Sequence, residues 1–324
     1  MKKKLFILSD RSRNLHPAMC CVVEMENAIS NGFEGKIINN IGLLQKDLSN
    51  SCLLFTGLNF RNIEEHRSSL VELKQRGCTV IIYVFDAWNA NSYFYNYRRK
   101  LKSLVHPSYN ISSFCSIMCV PFPCARDHFS ESDKRLVRYV PLAVDTTLVS
   151  GLNAQRPITV LGYGRQPTDL TQVLSKFLNA PHRENIFHHT DHMKISEVSD
   201  FLMHRRHFWK LAQSSLFALA YDPFCTHPQR FPYSIVGQRW FECLSAGCVV
   251  VGRRPTASDT DELIGWQDAT IEAPNDPQDM FCFLSDLIAS PARIAEIRAR
   301  NVEQMKARHD WIHRFSNLVA AEGI

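Results

Sequence analysis

At 324 residues the chain exceeds the roughly 250–300 residues at which single hydrophobic cores stop growing, so two domains with separate cores are expected. Its 45% hydrophobic and 21% charged residues are those of an ordinary globular protein rather than a disordered or membrane one, and no apolar run approaches the roughly 20 residues that cross a bilayer. The net charge of +5, concentrated only mildly at Lys2-Lys3-Lys4, Arg98-Arg99-Lys100 and Arg205-Arg206, suits an anionic small substrate or peripheral contact with an anionic membrane better than a dedicated nucleic-acid surface. Solvated faces are the simpler account of each basic run.

Residues 5–8 (LFIL) read as a buried strand running into the polar loop 9–17, which precedes a helix. Such a loop is where an α/β fold presents substrate-binding groups. It carries no Gly-rich fingerprint, so Asp10 and His16 are candidate bases, and a capped helix start explains either residue equally well. Strands follow at 36–39, 52–56 and 79–85, with a helix over 62–76, and this βαβ alternation predicts a parallel sheet. The strand VIIYVF ends in Asp86-Ala-Trp88, where a carboxylate and an indole could orient a polyhydroxylated substrate; a helix cap and a packing ring are the structural alternative. Two more strands are expected at 114–120 and 136–140, and the Gly- and Pro-containing stretch 146–157 reads as a linker.

A fresh strand at 158–161 leads into Gly162-Tyr163-Gly164-Arg165 and a helix over 168–178; glycines let a backbone approach a phosphate, and Arg165 could neutralise it. His188, His189 and His192 lie at metal-like separations, but cysteine and carboxylate partners at matching spacing are missing, so a His-rich loop is the simpler reading. After a helix over 197–213 and a strand at 216–220, a long Pro-interrupted loop delivers the chain to SIVGQRWFECLSAGCVVVG, residues 234–252. That stretch reads as a helix stopped by Gly247 and followed by a strand buried on both faces. A last strand near 270–272 and helices over 276–288, 291–305 and from 310 complete the chain. The eleven cysteines show no disulfide framework, and a reducing cytoplasm is the simplest compartment.

The second half resembles the glycosyltransferases of the GT-B fold, specifically the glycogen-synthase-like group and its relatives. Their frame E-x-F-G-x-x-x-x-E, followed by a small-Gly turn and an apolar strand, is matched by SIVGQRWFE at 234–242 and then SAGCVVV. Ser234 stands where that frame has its first Glu, Val236 and Gly237 occupy the next patterned positions, and Glu242 is the second acid. FWKLAQSSLFALA, VPLAVD, LGYGR and HDWIHR agree with the family in order and spacing.

The resemblance implies an α/β chain of two Rossmann-like domains whose parallel sheets face a central cleft. Residues 1–150 would bind the acceptor and residues 151–324 the donor, with the last helix able to pack back on the N-terminal domain. It further implies a glycosyltransferase using a nucleotide sugar, UDP- or GDP-linked, as co-substrate, with neither metal nor other cofactor. Glu242 would accept hydrogen bonds from the ribose hydroxyls, while Arg165, Arg239 and backbone N–H groups around Gly237 and Gly164 would offset the diphosphate. An i,i+3 ion pair between Arg239 and Glu242 is the structural alternative for both. Retention is favoured; inversion would need a base from Asp10, His16 or Asp86. The acceptor is expected to be a glycan, a lipid-linked or a small molecule, DNA being less favoured. An epimerase and a non-catalytic nucleotide-sugar or glycan-binding protein are the rival readings.

Overall fold

The computed structural model describes residues 3–9, 20–44, 47–88, 90–96, 101–102, 106, 109–149, 151–164, 166–189, 198–226, 228–229, 231 and 233–324. The chain divides into two compact units, residues 1–145 with Trp311–Ile324, and Thr146–Asp310.

In the first unit the strands are β1 (Lys4–Leu8), β2 (Lys36–Ile38), β3 (Ser51–Asn59), β4 (Thr79–Asp86), β5 (Ile117–Val120) and β6 (Val137–Tyr139), with helices α1 (Cys20–Phe33) and α2 (Phe60–Gln75). The sheet order is β2-β1-β3-β4-β5-β6, and its pairings are parallel. β3 and β4 are buried along nearly their whole length, as strands covered on both faces must be. Asn59 opens α2 with a capping box shared with Asn62, which satisfies donors the helix cannot pair internally. The C-terminal helix, Trp311–Glu322, belongs to this unit: Phe315 meets Phe33 of α1 edge to face at 4.8 Å, and the buried Trp311 packs on Tyr83 and Phe85 at 5.6 and 5.8 Å.

The strand expected over 114–120 is shorter than the sequence suggests. Ile111–Phe114 forms a helical turn, in which the Asn110 carbonyl accepts from both the N–H and the hydroxyl of Ser113. The Lys74 ammonium then binds the carbonyls of Ser112 and Cys115 at 2.7 and 2.6 Å, so β5 begins only at Ile117.

In the second unit the strands are β7 (Ile158–Gly162), β8 (Phe187–His189), β9 (Ser215–Tyr221), β10 (Val249–Arg253) and β11 (Ile271–Glu272), in the order β11-β10-β9-β7-β8, again paired in parallel. Its longer helices are α3 (Thr168–Leu178), α4 (Phe201–Gln213), α5 (Gln238–Ser245), α6 (Met280–Ile288) and α7 (Pro291–Arg308). Leu170, Leu174 and Leu178 of α3 recur at helical spacing and pack with Leu284 and Leu287 of α6 and Ile294 and Ile297 of α7 against Phe217, Leu219, Val249 and Val251 of the sheet. Two residues of the His-rich patch lie on a strand rather than in a loop: Phe187 anchors β8 in the core, and His188 and His189 are half-buried on that edge strand. Gly247, at φ 71°, closes α5 in a Schellman motif, with the Cys248 and Gly247 N–H groups donating to Cys243 and Leu244. Gly252 permits a close approach of β10 to β9, since a Cβ there would lie 1.7 Å from the Ala220 carbonyl oxygen.

Candidate functional site

The chemistry-bearing residues of the second unit gather at the carboxyl ends of β7 and β9 and around the start of α5. Tyr163 directly follows β7, and its phenol donates to Glu242 Oε2 at 2.5 Å. Arg205 reaches from α4 to form an ion pair with Glu242 Oε1. The Glu242 side chain is only 4% exposed and that of Arg205 15%, so this is a buried charge pair whose partners depend on each other. Phe208 and Trp209 of the same helix flank the guanidinium, with Arg205 Cζ 4.7 and 5.1 Å from their ring centroids. Burial, reinforced by the Glu242 charge, holds the Tyr163 phenol well above its ordinary pKa and therefore in the donating form. Each carboxylate oxygen carries a second lone pair, so a group that accepts from Tyr163 and Arg205 has the capacity to accept also from a vicinal diol.

Arg239, in the first turn of α5, points back over this cluster. Its guanidinium carbon is 5.2 Å from the Tyr163 ring centroid, and a Cβ on Gly164 would come within 2.7 Å of its Nη2. Gly164 itself has φ 65°, so this position is glycine both for its backbone and for the cation lying on it. Glu242 and Arg239 thus belong to one cluster, with Arg205 and Tyr163 as the partners of the Glu242 carboxylate.

Val236 and Gly237 complete the entry to the helix. Val236 is buried, and Gly237 is the N-cap residue, its carbonyl accepting from the Trp240 N–H at 3.1 Å. The buried Trp240 fixes the first turn by donating from Nε1 to Thr270 Oγ1 at 2.8 Å. The leading N–H groups of a helix have no intrahelical acceptor, and their dipoles favour an anion. Ser234 has a different setting: its hydroxyl donates to the buried carboxylate of Asp222 and accepts from the Thr256 N–H at 2.7 Å.

Asp86 ends β4 in the first unit, where it is exposed, and Trp88 stacks on Phe122 at 4.8 Å, a packing contact. Asp10, His16, Arg165 and His192 lie outside the described residues. Among the described residues no group of three or more His, Cys, Asp or Glu is placed to hold a metal ion, and no helix is long and apolar enough to cross a membrane. Three residues escaped the sequence reading. Tyr163 lies between the two glycines of the Gly-Tyr-Gly turn, whose pattern points to the glycines and not to the phenol. The pair Arg205-Arg206 reads as a solvated basic run; Arg206 is exposed, but Arg205 faces inward, next to Phe208 and Trp209. Asp222 directly follows an apolar strand and precedes a proline, a position that signals only a turn.

A family model described as glycosyl transferase-like matches residues 153–320, just over half of the chain. No curated protein is detectably similar in sequence. Among solved structures, HepE of Anabaena in complex with UDP-glucose is similar over 99% of both chains, with 12% identity and a TM-score of 0.54. TarM of S. aureus, a mutant in complex with fondaparinux, alpha-GlcNAc-glycerol and UDP, matches 86% of this chain and 56% of its own, with 10% identity and a TM-score of 0.50. At such identities the likeness speaks for the fold, and the family match for the activity. Two parallel-sheet units, the structural neighbours and the family model converge: the chain belongs to the glycosyl transferase-like family and is a glycosyltransferase of the GT-B fold.

Proposed function

We propose that the protein transfers the sugar of a UDP-linked donor to an acceptor hydroxyl without a metal ion and with retention at the anomeric carbon. The observation that carries this reading is the buried Glu242 carboxylate, fixed by Tyr163 and Arg205 beside Arg239 and the start of α5. Glu242 accepts the two ribose hydroxyls, while Arg239, Arg165 and the leading N–H groups of α5 offset the negative charge that grows on the diphosphate as it leaves. The acceptor oxygen bonds to the anomeric carbon as the bond to the diphosphate oxygen breaks. That departing oxygen takes the bonding electrons and the acceptor proton, so retention needs no side-chain base. Uridine is preferred over guanosine because both structural neighbours were solved with uridine nucleotides, UDP-glucose in HepE and UDP in TarM. The acceptor is a glycan, a lipid-linked or a small molecule, and the eleven free cysteines fit a reducing compartment such as the cytoplasm.

A thermal-shift panel of UDP-, GDP-, dTDP- and ADP-sugars tests the donor. A ligand at a hundred times its Kd stabilises the native state by about 2.7 kcal/mol, and the largest upward shift is expected from the UDP series, unchanged by EDTA. No shift with any member overturns the donor assignment, and an EDTA-sensitive transfer overturns metal independence. The anomeric configuration of the product, read by NMR, decides retention.

A further inference from the structure

We propose that Asp222 is a positioning residue for the donor: acting through Ser234 it fixes the loop that enters α5, so the Ser234 hydroxyl serves the protein and not the transferred sugar. The proposal rests on the donor-site reading above and concerns the position where the family frame carries a Glu.

Asp222 follows β9 directly and is fully buried. Its Oδ1 accepts the Phe224 N–H at 3.0 Å, and its Oδ2 accepts the Ser234 hydroxyl. The same Ser234 oxygen accepts the Thr256 N–H at 2.7 Å. One hydroxyl therefore ties together three pieces of chain: the end of β9, the loop before α5 and the segment after β10. Serine has a single O–H to donate, and here it is spent on a buried carboxylate, an acceptor that is costly to leave unsatisfied. Downstream of the tie, the buried side chains of Ile235 and Val236 leave the loop little freedom before Gly237 starts the helix. Loop position is thus transmitted to the leading N–H groups of α5, which the donor reading sets against the charge that grows on the diphosphate during transfer rather than against the ribose held at Glu242.

The arrangement also explains why a Glu does not stand at 234. A second carboxylate beside buried Asp222 would set two like charges against each other in a site with little water. The two roles for position 234 therefore predict opposite outcomes. If this side chain touched the sugar, Ser234→Glu would restore the family contact and raise turnover; if it clips the loop, the same change disrupts it.

The experiment compares wild type with Ser234→Ala, Ser234→Thr, Ser234→Glu and Asp222→Asn. It measures the Kd of UDP by calorimetry, kcat and KM for consumption of UDP-glucose, and amide hydrogen exchange of the ligand-free protein. Ser234→Ala and Asp222→Asn are expected to lower kcat/KM for UDP-glucose on the order of tenfold or more, the scale of one lost hydrogen bond to a charged group, while the UDP Kd moves less than about threefold. Ser234→Thr, which keeps a hydroxyl, should restore wild-type kinetics, and Ser234→Glu should fall at least as far as Ser234→Ala. In the ligand-free protein the Thr256 amide should exchange on the order of tenfold faster in Ser234→Ala, since its acceptor is gone. Unchanged kinetics in Ser234→Ala, equal losses on UDP and UDP-glucose, or a gain in Ser234→Glu would each overturn the proposal. Should Ser234→Ala not fold, Ser234→Cys replaces it, a weak acceptor expected to lie between alanine and threonine; wild-type kinetics there would sink the idea. A wild type that binds no UDP defeats the donor reading instead, and the exchange of Thr256 still reports on the clip.

Discussion

The two units place a buried carboxylate at the same address, near the carboxyl ends of their parallel strands, and hold it in different ways. In the second unit Glu242 is gripped by a guanidinium and a phenol. In the first, Glu26 of α1, only 1% exposed, accepts the hydroxyls of Ser9, just after β1, and Thr56 of β3, each at 2.5 Å. Glu26 ties a helix to two strands, a task that hydroxyls can perform. Glu242 sits against Arg205 and close to Arg239, cations that the proposed donor site would share with a charged substrate. Both acids are buried, so burial alone does not mark a functional one; the proposal for Glu242 rests on Arg205 and Arg239 beside it.

That contrast can be broken by mutation. Glu242→Ala should have the largest effect, because it strands Arg205 in a buried setting. A loss of about 3–5 kcal/mol in denaturant unfolding is expected, with UDP affinity falling on the order of a hundredfold. Affinity near that of wild type would remove Glu242 from the site. Tyr163→Phe deletes one hydrogen bond to the same carboxylate and should cost about 1.5–3 kcal/mol, with a smaller drop in UDP affinity by calorimetry. Thr56→Val probes the other acid: a stability loss of about 1–2 kcal/mol is expected, with the UDP Kd unchanged. If UDP binding weakens there as it does at Tyr163, the distinction between the two carboxylates fails. The mildest test is Asn59→Ala, which removes the cap of α2 and should lower stability by about 1 kcal/mol while leaving kcat/KM for UDP-glucose untouched.

Much of the architecture was legible because parallel strands buried on both faces announce themselves as short apolar runs; the strand expected over 79–85 is Thr79–Asp86, and the apolar run 248–251 lies within one or two residues of Val249–Arg253 at each end. β8 was missed because it is three residues long and two of them are histidines, so the pattern carried no apolar alternation. At the site, the frame around Glu242 was readable because it is local, spanning one loop and one helix. Its partners were not: Arg205 lies 37 residues earlier and Tyr163 lies 79 earlier, and only the sheet brings them together. Ser234 was visible as a departure, but what its hydroxyl binds depends on Asp222, 12 residues away across a Pro-rich loop.

The division of the chain has a consequence for synthesis. The first unit needs Trp311–Ile324, whose Trp311 fills the space against Tyr83 and Phe85, yet that segment is made only after the whole of Thr146–Asp310. At ordinary translation rates the early strands wait on the order of ten seconds on the ribosome with an apolar surface uncovered, while the later unit has all its parts sooner. The unit begun first is therefore finished after the second, and synthesis halted before Trp311 would leave a chain whose second unit is complete and whose first is open to chaperones and proteases.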